Sequence, residues 1–127
     1  MARLILDSGA VIALAALDVR ARAFVARAVK ERTTLIIPAV VIAETTRGTA
    51  RDAAVNRVIN QVDEISLVTE AVARQAGRLL ATTGGNPTVD ALIAAEAVLG
   101  NAAILTGDPD DLSALVADYP QIRVHKV

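Results

Sequence analysis

The 127-residue chain has no cysteine, one histidine, 2% aromatic residues and only two lysines among its 13 basic side chains. Without cysteine, disulfides and thiolate metal sites are excluded, and nothing about redox compartment follows. So few aromatics exclude base stacking as a main binding mode. The shortage of histidine and thiolate argues against zinc. A net charge of −1 and a pI near 5.7 argue against a strongly electropositive nucleic-acid binder. Most of the basic residues are arginine, however, the better phosphate fork, so local patches can still steer a polyanion. No apolar run approaches the ~18–20 residues that cross a bilayer. The segment from Arg3 through Leu17 has a superficial likeness to a signal peptide, but Asp7 and Ser8 interrupt it. The expectation is a soluble, cytoplasmic protein with no membrane association.

What is present is a 54% hydrophobic chain of one-domain length, expected to fold as a single domain over residues 1–127. Short strand-like runs alternate with longer helical ones, which predicts a parallel sheet covered by helices. Strands are expected at 3–6, 33–37, 64–68, 102–106 and 122–127. Helices are expected from Ser8, acting as N-cap, and over 19–32, with Phe24, Val25, Ala28 and Val29 on the apolar stripe. Pro38 opens a helix that carries Glu44 and stops near Gly48. Further helices are expected over 51–62 (Val55, Val58, Ile59 and Val62 inward), from the Thr69 cap to about 82, over 89–99 behind a Thr88 cap, and over 110–117. Gly84-Gly85-Asn86-Pro87 is the clearest loop signal. The fold class is α/β, an α/β/α sandwich around a central parallel sheet.

Four carboxylates stand out against this pattern. Asp7 ends the run Leu4-Ile5-Leu6, and Asp108 follows Ile104-Leu105-Thr106-Gly107. Glu44 and Asp90 lie within the apolar segments Val41-Ile42-Ala43-Glu44 and Val89-Asp90-Ala91-Leu92-Ile93. Charged acids in apolar surroundings are costly unless paired, and no lysine lies near. Strand-end acids of a parallel sheet share one edge, where such sheets bind ligands. Oxygen-only donors suit a hard cation such as Mg²⁺ or Mn²⁺. Each acid taken singly has a plainer reading. Asp108 can be a turn residue before Pro109, Asp90 an acid serving a helix dipole, and Glu44 a solvated helix face. Asp110 and Asp111 crowd Asp108 and compete for the fourth position. His125 is expected outward on an alternating strand and Glu96 exposed. Arg74 and Arg78 form a solvated helix face, with Glu70 as a pairing partner. Gly84-Gly85 lacks the Lys-Ser/Thr continuation of a phosphate-binding loop.

The ordered set Leu6-Asp7-Ser8, Pro38 through Ala43-Glu44, Val89-Asp90-Ala91-Leu92-Ile93-Ala94 and Ile104-Leu105-Thr106-Gly107-Asp108 resembles the PIN-domain ribonucleases, in particular VapC toxins of bacterial toxin–antitoxin pairs. The resemblance spans essentially the whole chain. It implies a PIN-like sandwich and a metal-dependent endoribonuclease in which Asp7, Glu44, Asp90 and Asp108 are catalytic and hold Mg²⁺ or Mn²⁺. Thr106 resembles the family's hydroxyl residue two positions before the last acid. It also implies RNA as substrate, a VapB-type antitoxin laid across the acidic groove, and a homodimer. Arg47 and Arg51 are candidates for phosphate contacts. Two alternatives remain at this stage. A phosphotransfer domain also starts with a strand-ending Asp. The dehalogenase type, however, wants a second Asp where Gly9 stands, and the receiver type a lysine near the last strands. A catalytically silent partner-binding module would not need all four acids.

Overall fold

A computed structural model describes residues 2–84 and 87–127; the Gly85-Asn86 centre of the expected loop lies outside the described residues. Five strands form one all-parallel sheet: β1 (Arg3–Leu6), β2 (Thr34–Pro38), β3 (Glu64–Ser66), β4 (Ala103–Thr106) and β5 (Val124–Lys126), in the order β3-β2-β1-β4-β5. β1 lies at the centre and is buried on both faces, with Leu4, Ile5 and Leu6 no more than 2% exposed. That is why it reads as a continuous apolar run rather than an alternating one. Helices α1 (Ser8–Ala15), α2 (Val19–Lys30), α3 (Ala39–Thr45) and α4 (Ala53–Ile59) pack around α1. Helices α5 (Glu70–Thr83), α6 (Thr88–Gly100) and α7 (Pro109–Leu115) pack on one another. The result is the expected α/β/α sandwich.

Helix ends depart from expectation in instructive ways. Ser8 does not cap α1; Asp7 does, its carboxylate accepting from the Ala10 amide at 3.0 Å. Thr88 is the first residue of α6 rather than its cap, and Pro87 precedes it with no side-chain cap bond. Thr69 does cap α5, accepting from the Val72 amide at 3.2 Å. Pro38 ends β2 and stands one residue before α3. That helix closes at Thr45, three residues short of Gly48. The 51–62 segment is a 3₁₀ turn over Ala50–Asp52 followed by α4, so Val62 packs on the core from outside the helix.

Three burial expectations are also corrected. Val29 is 56% exposed, whereas Ala28 is buried and Phe24 and Val25 partly buried as expected, and Ala21 joins the stripe of α2. Glu96 is half-buried, its carboxyl pushed up by burial and by Glu64, and pulled down by the Ser66 hydroxyl and Arg3. Its helix is enclosed on most sides, so an angle measured from Asp90 does not predict exposure. His125 does not point freely outward. It is half-buried against Phe24, with ring centroids 4.9 Å apart, and burial and Arg123 push its imidazole down. Arg74 pairs with Glu70 at 2.8 Å as expected, whereas Arg78 donates to the side-chain Oε1 of Gln75. Among the described residues no helix is long and apolar enough to cross a membrane.

Candidate metal centre

β1 and β4 are neighbours, yet the chain leaves them for helices packed in different groups, α1 after β1 and α7 after β4. Such a switch in connection opens a crevice at the carboxyl ends of the two strands. Asp7 and Asp108 flank it. Close backbone approach of the two connections requires Gly9. A Cβ there would stand 2.7 Å from the Gly107 nitrogen and 2.9 Å from its Cα.

Asp7 is 7% exposed. Burial pushes its carboxyl up, and Glu44 adds to the rise, against the Thr106 hydroxyl and the Ala10 and Gly9 amides. The Thr106 side chain is fully buried and accepts from the Asp108 amide at 3.1 Å. Its single proton has two candidate acceptors, the Asp108 carbonyl oxygen at 3.2 Å and the Asp7 carboxylate. Ser8 donates to the Glu44 carboxylate, tying the start of α1 to the last turn of α3. Asp90, in the first turn of α6, is pushed up to about 6 by burial and then by Asp111, Asp7, Glu44 and Asp108. The sequence-selected acids therefore share one electrostatic neighbourhood.

The fourth position reads differently from the sequence ranking. Asp108 is the N-cap of α7, its carboxylate 3.4 Å from the Asp110 amide, and it contributes least to the rise at Asp90. Asp111 contributes most among the acids. The spacing carried this signal, because the third residue after an N-cap comes back to the same end of the helix. The guanidinium of Arg47, a candidate for phosphate contacts, folds back on the carbonyl oxygens of Ala43, Glu44 and Thr46. Arg51 is exposed. Asp52, which the sequence did not single out, is 7% exposed and grips the loop after α3.

No group of three or more His, Cys, Asp or Glu side chains among the described residues is gathered tightly enough to hold an ion as it stands. Glu44 and Asp108 are engaged in other hydrogen bonds, with the Ser8 hydroxyl and the Asp110 amide. In chemistry the donors fit a hard divalent cation, being all oxygen, without a basic partner and partly desolvated.

Residues 4–116 match the PIN domain family. The chain belongs to that family. Solved structures agree on the PIN fold. The chain is similar to VapBC2 from Rickettsia felis bound to a DNA fragment from their promoter, with a TM-score of 0.79 at 15% identity over 98% of each chain. It is similar to VapBC-1 from nontypeable Haemophilus influenzae (TM-score 0.70, 17% identity, 98% of this chain and 97% of that one). VapBC-5 from Mycobacterium tuberculosis, of the VapBC family of toxin-antitoxin systems, aligns over 100% of both chains at 23% identity and a TM-score of 0.66. A search of curated protein sequences found no match.

Proposed function

We propose that this PIN domain, residues 1–127 acting as one unit, is the toxin of a type II toxin–antitoxin pair and cleaves RNA as a metal-dependent endoribonuclease in the cytoplasm. The observation that carries the reading is that Asp111, Asp7, Glu44 and Asp108 all add to the rise of the buried Asp90 carboxyl, in a chain with the PIN fold. Mg²⁺ or Mn²⁺ held there would lower the pKa of an attacking water and offset charge on the leaving oxygen.

The chain's own groups divide the remaining work. Asp7 and Asp90 would be the surest ligands, with Glu44 helping to hold the ion, and Asp7 is fixed by its own helix cap. Glu44, exposed and held by Ser8, takes the proton released when water attacks phosphorus. The ester P–O bond on the opposite side breaks, and the departing oxygen is protonated from solvent. Asp108 or Asp111 completes the acidic set.

The VapBC likenesses support a VapB-type antitoxin as partner, and a homodimer is proposed as the assembly on the sequence resemblance alone. A phosphotransfer reading has less support, because Gly9 is required for backbone contact where a dehalogenase would need its second Asp. The test is cleavage of a structured RNA by the purified protein with Mn²⁺. Cleavage should stop with EDTA and fall at least a hundredfold in Asp7→Asn, whose amide still caps α1. Activity that survives either treatment rules the metal mechanism out, and inactivity under all conditions favours a silent binding module.

A further inference from the structure

Glu44 is badly placed for an anion. It is the sixth of seven residues in α3, at the end where unpaired carbonyl oxygens repel negative charge, and it faces further acids. The last turn of α3 carries an unusually complete set of compensating donors. The Thr45 hydroxyl donates to the Val41 carbonyl at 2.8 Å and the Thr46 hydroxyl to that of Ile42 at 2.7 Å. One Nη of Arg47 lies 3.2 Å from the Ala43 oxygen, 3.4 Å from the Glu44 oxygen and 2.7 Å from the Thr46 oxygen. The carbonyls of Val41 through Glu44 thus all have side-chain partners, and the last of these partners is a full positive charge.

Arg47 is held in turn. The buried Asp52 carboxylate accepts from the Arg47 amide at 3.0 Å to each oxygen and from the Gly48 amide at 2.8 Å. Gly48 makes the reversal with φ +76°, a region costly for other residues. Asp52 immediately precedes α4 but makes no side-chain cap bond there; its acceptors are committed to the loop. A buried carboxylate spent on two backbone amides outside any helix fixes that loop.

We propose that Arg47 and Asp52 are positioning residues. Together they clamp the end of α3 so that Glu44 is presented toward Ser8 and the other acids, and Arg47 cancels the helix-end field that would otherwise turn the carboxylate away. This rests on the metal-site reading above. It assigns Arg47 a role distinct from phosphate binding, and gives Asp52 one that its sequence context conceals.

Calorimetric titration of Mn²⁺ into the purified protein separates the possibilities. A cation near an acidic site weakens metal binding by simple repulsion, so Arg47→Met should tighten it if charge were all that mattered. The clamp requires the opposite: a Kd for Mn²⁺ raised roughly tenfold or more in Arg47→Met, as for other residues that orient metal ligands. Arg47→Lys, which keeps the charge and one donor group, should recover part of the loss. Asp52→Asn, retaining shape and one acceptor, should weaken binding by a smaller factor and speed hydrogen exchange at the Arg47 and Gly48 amides. If Arg47→Met does not fold, Asp52→Asn decides by the same two readouts. Unchanged or tighter binding in Arg47→Met, or in Asp52→Asn when that variant decides, overturns the clamp alone. No binding by the wild type overturns the metal site and the clamp with it.

Discussion

Asp7 performs two tasks with one carboxylate, capping α1 and carrying charge into a nearly closed site. Its neighbour in function, Asp90, has a folded value of about 6 against an ordinary 3.8. Between those values the folded state binds more protons than the unfolded one, so stability of the metal-free protein falls as pH rises through that window. Thermal melts in EDTA should therefore show the wild type gaining Tm from pH 7 to pH 5 relative to Asp90→Asn, a comparison in which the opposing contribution of His125 cancels. Added Mn²⁺ should favour the wild type at pH 7 instead. The same reasoning gives Asp7→Asn and Asp90→Asn a raised Tm at neutral pH without metal, since each removes a desolvated charge while keeping its shape. Function here costs stability. Gly9 lies at the other extreme. Gly9→Ala drives a methyl into the Gly107 backbone and should destabilise by about 1–3 kcal/mol in urea titrations, the usual range for overpacking.

At the scale of elements, strands were the most legible part of the sequence. β1, β2 and β4 run through apolar, largely β-branched or leucine residues. The edge strands β3 (Glu64–Ser66) and β5 (Val124–Lys126) are mixed and shorter than the expected 64–68 and 122–127, and all five appear near their expected places. Helix starts were less legible because capping is decided by backbone direction rather than residue type. Asp7 and Ser8 are both good caps, and the exit angle of β1 selects the acid. Glu96 and His125 were misjudged for a related reason, since periodicity within one element is blind to what another lays over it. All four acids were chosen from strand ends and apolar flanks. Asp111 has the largest effect of the acids on Asp90, and that depends on how α7 packs beside α6, which spacing within one element conveys only in part. Asp111→Asn should therefore weaken Mn²⁺ binding more than Asp108→Asn does, and calorimetry on the two variants compares them directly. Equal losses, or a larger loss at Asp108, would restore the sequence ranking.

For the whole molecule, the central sheet is a rigid frame with its interior spent on β1 and its polar edge on the site. A cation binding only the folded state adds stability by mass action, about 2.7 kcal/mol at a hundredfold excess over Kd. The most direct measurement is Mn²⁺ binding by the metal-free protein, compared with the double variant Asp7→Asn/Asp90→Asn at neutral pH. Saturable binding to the wild type, accompanied by a rise in Tm, and none to the correctly folded double variant is the expected result. Equal binding by both, or none by either, would contradict the reading of these acids as one metal centre.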